Sequence, residues 1–310
     1  MNNIVTSAFD TGQPITVDQL MHDPTEIPTR VVNMIKDAQL ADYLFRKGPD
    51  NMGSVMWRDP ASMFLEDDAE NIAEFGEIPV SSPELGGMHT AVASTYGTAI
   101  KVSHNMRLQN RIDQVQLASG AAANTMIRHN VRAVMKAFAS ANVPTQQVST
   151  KWDAPNSNPM TDVADAIMKI QRAKPDDAVD EGMKYGYNPD LFVASSATLT
   201  LLQTHDKIQR FFVGDIAHEN PVYRGMTEFK LGKLNFVESQ WLPDGEAYIL
   251  ERGTAGFYSD TEGLTKTPLY EVGGQSGYGG PTRTWRADFW RQTVYACDNP
   301  KAVVHLKGIV

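Results

Sequence analysis

The sequence predicts an α+β chain organised around one long helix, and three observations carry that expectation. A polar segment punctuated by Pro14, Pro24 and Pro28 opens the chain, and an acidic excursion follows it. Helical apolar stripes then run without a break over about 105–139, before the pattern turns into alternating short helices and strands. At roughly 1.5 Å per residue such a helix is a rod of about 50 Å, long for a chain of 310 residues. The segments before it carry too little apolar material to fold alone, so the chain reads as one built to lean on neighbours.

Residues 1–29 show no sustained periodicity and are expected to form an extended arm. A first helix is predicted over 31–45, with Val31, Met34, Ile35, Ala38 and Phe45 near one face and Gly48-Pro49 stopping it. Val55, Met56 and Trp57 suggest a strand. Glu66, Asp67, Asp68, Glu70, Glu74 and Glu77 then crowd together, a run that no packed core accommodates. After Pro83 and Gly86-Gly87, residues 90–102 read as a strand with Gly97 at a bend, feeding the rod. On the rod Leu108, Ile112 and Val115 mark one stripe and Ile127, Val131, Val134 and Phe138 a second, while Gly120 and the alanines after it admit a close neighbour.

Beyond the rod, Thr161 is placed to cap a helix whose Val163, Ala166, Ile167 and Ile170 follow the helical period and which ends before Pro175. Residues 191–194 look like a buried strand, with Ser195 or Ser196 capping the helix after it. Residues 234–241 and 247–251 are expected to pair as a hairpin turned by Pro243-Asp244-Gly245. Trp285, Ala287 and Phe289 alternate with charged neighbours as a long strand does. There is no internal repeat.

Hydrophobic residues make up 42% of the chain and charged ones 21%, enough for one large core or two modest ones. The net charge of -9 argues against a protein whose task is to grip phosphates, which needs an excess of Lys and Arg on one face. A single cysteine, Cys297, excludes an internal disulfide and any cysteine zinc cage, and synthesis is expected in the cytosol. The first basic residue is Arg30 and no apolar run approaches a membrane span, so secretion and membrane insertion are disfavoured.

The chemical motifs fail one by one. The glycine-rich run 273–280 is neither a Walker loop nor G-x-G-x-x-G, and Tyr278 stands where a nucleophile elbow around Ser276 needs its closing glycine, so a mobile loop tip is expected. His218-Glu219 lacks the second histidine of a zincin, and the other histidines have no ligand spacing. Asp176, Asp177, Asp180 and Glu181 fit no calcium loop and read as an acidic turn or helix start. Cys297 defaults to a small buried hydrophobe. No catalytic residue, cofactor or metal is expected. Arg107, Arg111, Arg128, Arg132 and Lys136 on the rod match the acidic excursion in charge count, and read either as a solvated helix face or as a surface paired with another subunit.

This order of segments resembles the major capsid proteins of tailed bacteriophages, which have the Hong Kong 97-type fold shared with encapsulins. The leading arm, the acidic excursion ending Glu74-Phe-Gly-Glu-Ile-Pro-Val80, the strand running into the rod, the run 188–195 before a helix, and Leu242-Pro-Asp-Gly-Glu-Ala-Tyr-Ile-Leu250 carry the resemblance over nearly the whole chain. It implies an N-terminal arm with the first helix over 1–50 and an E-loop over 51–88. It also implies a peripheral domain with the spine helix over 89–150 and 256–297, and an axial domain over 151–255 and 298–310. It further implies hexamers and pentamers closing an icosahedron around double-stranded DNA, with arms and E-loops lying across neighbouring subunits. The implied partners are other copies, a separate scaffolding protein, a portal at one vertex, a decoration protein, and packaged DNA held weakly and without sequence specificity. Assembly in the bacterial host cytoplasm and residence in the virion follow.

Ordering an arm costs on the order of 1 to 2 kcal/mol per residue, which burial against other subunits offsets, and a negative wall does not trap packaged DNA. No Lys, Asn and Glu match the crosslinking trio of some members, so assembly is expected to be noncovalent. The acidic run 66–77 is expected to meet basic residues of another subunit. Three other readings stay open: an encapsulin-like compartment with a cargo enzyme, a soluble α+β enzyme, and a tail or decoration component.

Overall fold

The computed structural model describes residues 16–36, 38–60, 71–72, 75–78, 80, 82, 86–175, 183–213 and 233–310. Its first element already departs from an extended arm. Thr16 and Gln19 form a reciprocal capping box, Thr16 Oγ1 accepting the Gln19 amide at 3.2 Å and Gln19 Oε1 accepting the Thr16 amide at 3.0 Å, which starts α1 (Val17–His22). Helix α2 follows at Glu26–Lys36, starting earlier than the expected residue 31, because Ile27 belongs to the buried row of Val31 and Ile35. Pro28 is tolerated in its first turn, where no intrahelical N–H is needed. The single helix expected over 31–45 is therefore two, with α3 at Leu40–Leu44. Val17, Leu20, Ile27, Val31 and Ile35 pack within the chain's own core, so residues 16–36 fold onto their own subunit.

The rod is also interrupted. Helix α4 (His104–Leu108) stops at Asn110, whose φ of 46° is left-handed, and α5 (Ile112–Ser140) restarts after it. The Asn110 side chain is diverted to α1, where its Oδ1 accepts the Val17 amide at 2.8 Å. That tertiary bond holds the residue out of helical geometry, in a left-handed conformation that asparagine tolerates better than most residues. At 29 residues α5 still extends about 44 Å.

Two five-stranded sheets pack around α5. The first has β11 (Thr284–Ala296) at its centre, flanked by β9 (Phe257–Lys266) and β10 (Tyr270–Glu271) on one side and by β4 (Ser94–Ser103) on the other, with β1 (Arg46–Lys47) outside β9. The alternation expected from Trp285 continues through Arg291 and Thr293, so a charge stands in the buried register. The strand expected over 90–102 is β3 (Met88–Val92) and β4, parted at Ala93. Gly97 marks no bend: it sits opposite Trp290, where an added Cβ would lie 2.5 Å from the Phe289 carbonyl. Strands β2 (Ser54–Arg58) and β3 form a separate antiparallel ribbon.

The second sheet runs β5 (Thr145–Gln147), β12 (Val303–Lys307), β8 (Glu246–Leu250), β6 (Leu191–Ala194), β7 (Asn235–Glu238). Helices α6 (Pro159–Gln171), α7 (Ser196–Thr204) and α8 (Asp206–Val213) accompany it. Asn158, not Thr161, precedes α6, and Thr161 lies in its first turn with its Oγ1 accepting from Asn158 Nδ2. Ser195 caps α7 as expected. The 243–245 turn joins β7 to β8 without making them a hairpin, because β6 lies between them. The polar groups of that turn go to α7: Asp244 accepts the Ser195 hydroxyl at 2.6 Å, and the Gly245 amide donates to Thr198 Oγ1 at 3.2 Å.

Candidate interaction surfaces

Among the described residues no group of His, Cys, Asp and Glu is arranged to hold a metal ion, and no helix is long and apolar enough to cross a membrane. Asp176, Asp177, Asp180, Glu181 and His218-Glu219 lie outside the described residues. Cys297 is buried beside Leu44, Phe45 and Phe138, and burial pushes its thiol up to about 12, the wrong direction for a nucleophile.

Of the eleven candidate contact residues, Glu66, Asp67, Asp68, Glu70 and Glu74 fall outside the described residues, and Glu77 is exposed. The five basic ones do not form one site. Arg107 is committed within its own chain: its Nε donates to Asp18 at 2.6 Å and its guanidinium lies over Trp285 at 5.7 Å. Arg111 is exposed just before α5. Arg128, Arg132 and Lys136 are exposed at successive i, i+4 positions and make one cationic row on the C-terminal half of α5, with Arg128 also over Trp241 at 5.8 Å.

Two apolar surfaces escaped the sequence reading. On the β2–β3 ribbon, Val55, Trp57 and Ala91 face inward and pack on Phe257, Val294 and Ala296. Register places Met56 opposite Thr90, with Val92 and Met88 diagonal to it, and these three are 63%, 80% and 59% exposed. A two-stranded ribbon is marginal by itself, and this one has apolar side chains on both faces with only one of them covered by its own subunit. Under its inner face a cleft of about 600 Å³ reaches Lys136 and the end of α5. The period-two placement of Ser54, Met56 and Arg58 against Val55 and Trp57 was a signal for this ribbon that the reading did not follow to its outer face.

The second surface lies at the other end of α5. The glycine-rich segment is organised around Glu271, whose Oε2 accepts the Ser276 amide at 2.6 Å, the Gly280 amide at 3.1 Å and the Ser276 hydroxyl at 3.1 Å. Burial acts against the charge, yet the Gly279 and Ser276 amides hold the Glu271 carboxyl below its usual range. The loop presents Tyr278 beside a cleft of about 570 Å³ lined also by Asp18, His104, Arg107 and Leu108.

Residues 88–306 match the family model described as "Phage capsid protein". No curated protein matches the sequence. The fold is similar to the virus-like particle from Pyrococcus furiosus at TM-score 0.55 and 11% identity, over 89% of this chain and 96% of that one. It is similar to the asymmetric unit of the bacteriophage PhiM1 mature capsid at TM-score 0.58 and 10% identity, over 87% and 86%. A third likeness is to a structure from Mycobacterium phage Bobi, at TM-score 0.56 and 13% identity over 88% and 89%.

Proposed function

We propose, from the premise that this chain belongs to the phage capsid protein family, that it is the major subunit of a tailed-phage head, assembling into hexamers and pentamers that close an icosahedral shell around double-stranded DNA. The α+β architecture is of the Hong Kong 97 type, and the match over 88–306 is the observation that carries the reading. The chain is a structural capsid protein. The division into a peripheral domain (89–150 and 256–297) and an axial domain (151–255 and 298–310) is supported by the two separate sheets, with the detail that β5, inside the stretch assigned to the peripheral domain, pairs with β12 of the second sheet; the arm (1–50) and E-loop (51–88) belong to the same proposal, with residues 16–36 of the arm packed on their own subunit.

The exposed Met56, Met88 and Val92 face of the ribbon suits contact with an adjacent copy in the same ring, since burying exposed apolar area contributes about 25 cal/mol per Å² and an unpaired face of this kind is rare on a monomer. The acidic run 66–77 of one copy meets the exposed cationic row Arg128, Arg132 and Lys136, or Arg111, of another. Arg107 contributes less, being neutralised by Asp18. Exposed pairs are worth only about 0 to 1 kcal/mol each, multiplied over every contact in the shell. A scaffolding protein, a portal, a decoration protein and weakly held DNA complete the partners, and assembly proceeds in the host cytoplasm without covalent crosslinks.

Negative-stain microscopy of the purified protein tests the reading: closed shells or capsomer rings support it, and a monomer at every concentration sinks it. Reversing Glu70 and Glu74 to Lys is expected to impair assembly more than subunit folding. A second reading, a compartment enclosing a protein cargo, has the likeness to the Pyrococcus furiosus virus-like particle in its favour. Particle contents separate the two, DNA against protein.

A further inference from the structure

The outer face of the β2–β3 ribbon is apolar largely through sulfur. Register sets Met56 opposite Thr90 and Met88 opposite Arg58, and side chains alternate along each strand, so Ser54, Met56 and Arg58 share one face with Met88, Thr90 and Val92. Met56 and Met88 are diagonal neighbours there and both exposed, whereas Met126 is buried in the core between α5 and the first sheet. The opposite face is anchored. Trp57 lies edge-on to Phe257 at 5.7 Å, and bonding continues past both ends of the ribbon, the Ala93 amide donating to the Gly53 carbonyl at 2.8 Å and the Asp59 amide to the Gly87 carbonyl at 2.9 Å. The two thioethers are therefore held out to solvent on a fixed support.

We propose that Met56 and Met88 are a reversible oxidation site, at which hydrogen peroxide turns the ribbon's outer face from apolar to polar without unfolding the subunit and so blocks assembly. The sulfur attacks one peroxide oxygen, an S–O bond forms as the O–O bond breaks, and the displaced hydroxide takes the proton left on the new oxygen and departs as water. Sulfur loses two electrons and the peroxide gains them. A methionine sulfoxide reductase removes the oxygen again as water, with two thiols oxidised to a disulfide. The sulfoxide is a strong acceptor, and each methionine has a donor straight across the ladder: the Thr90 hydroxyl for Met56, and for Met88 the Arg58 guanidinium, which uses one N–H on the Gly86 carbonyl at 3.4 Å and has others to give. The oxidised ribbon is thus held together while its face no longer suits apolar burial. The inference rests on the shell reading, in which this face is covered in the particle, so the free subunit is the species that oxidises.

The test treats the unassembled subunit with hydrogen peroxide, follows each sulfoxide by peptide mass spectrometry, and then assembles the protein for negative-stain microscopy. Met56 and Met88 are expected to oxidise at least about tenfold faster than Met126, the circular dichroism melt to stay unchanged, and the yield of shells to fall about tenfold or more. Reductase treatment should restore the yield. Met56→Leu with Met88→Leu keeps the face apolar and leaves every other methionine in place, so it should assemble equally well with and without peroxide. If the treated wild type melts early, Met56→Gln with Met88→Gln, polar side chains of similar length introduced without oxidant, decides in its place by losing the shells. Oxidation of Met56 and Met88 no faster than Met126, shells at full yield after oxidation or in the glutamine variant, or an equal loss in the leucine variant overturns the proposal. Untreated wild type that forms no shell overturns the shell reading and the switch with it, whereas a failure confined to the treated protein leaves that reading standing.

Discussion

Asn130, buried midway along α5, accepts the backbone N–H of Ala41 at 2.9 Å and so supplies, from another element, the cap that α3 lacks at its own Gln39. Its Nδ2 donates to the Tyr295 hydroxyl at 3.0 Å, and that hydroxyl lies 3.0 Å from the Tyr96 hydroxyl. Replacing Asn130 by Leu strands the Ala41 donor and is expected to cost about 1 to 3 kcal/mol. The urea midpoint of the unassembled subunit measures it, and an unchanged midpoint would refute the role.

Arg291 occupies the buried register of β11 and is satisfied by three side chains. Its Nε and Nη2 donate to Asp260 at 2.9 and 3.1 Å, and its Nη1 donates to Asp42 at 3.0 Å and also to Gln39. Its guanidinium stands 5.2 Å over Tyr258. Arg291→Met leaves two carboxylates facing each other without a cation, with an expected loss of about 3 to 5 kcal/mol. Burial raises the Asp42 pKa even with the arginine in place, so part of the loss should be relieved at acid pH as Asp42 takes up a proton. A pH-independent deficit in this variant would contradict that account.

His205 caps the start of α8 as the neutral imidazole. Its Nδ1 accepts the Lys207 amide at 3.2 Å, leaving Nε2–H to donate to Ser157 Oγ at 2.8 Å, while the Ser157 hydroxyl donates to the Ala154 carbonyl at 2.6 Å. Burial, aided by Lys207 and opposed by Asp206, lowers its pKa. A depressed histidine contributes stability above its unfolded value of about 6.5 and loses it as pH falls through the lower folded value. The protection factor of the Lys207 amide against hydrogen exchange should therefore fall on acidification. His205→Asn, whose side-chain oxygen accepts at any pH, should remove that dependence.

Cys297 should react with an aromatic disulfide reagent only after unfolding, since burial holds the thiol protonated to about pH 12. Titration of native protein at pH 8, followed by denaturant, measures the ratio, and fast labelling of the native subunit would show that the site opens.

The parts of the fold legible in the sequence are those where local pattern and burial coincide. The Leu191–Ala194 strand with its Ser195 cap, the alternation from Trp285, and the apolar stripes of α5 all rest on periods that a few neighbouring residues enforce. The misreadings have the opposite character. Asn110 looks like any helical position until its side chain finds the Val17 amide, and the 243–245 turn signals a hairpin until β6 enters between its strands. The Glu271 knot was invisible because two of its three bonds come from backbone amides, which every sequence offers equally. The five rod residues are legible as cationic, but Arg107 and Arg132 are indistinguishable in the sequence until Asp18 is seen to take the first.

By itself the sequence determined the class of molecule: an α+β chain with one dominant helix, a single buried cysteine, an acidic balance and no catalytic motif, because composition and short-range period depend on no distant partner. Tertiary structure alone decided which polar groups are used up inside the subunit and which apolar ones are left outside. That Arg291 is buried and Tyr278 is offered to solvent follows from how strands far apart in the chain come together, a property no window of neighbouring residues contains.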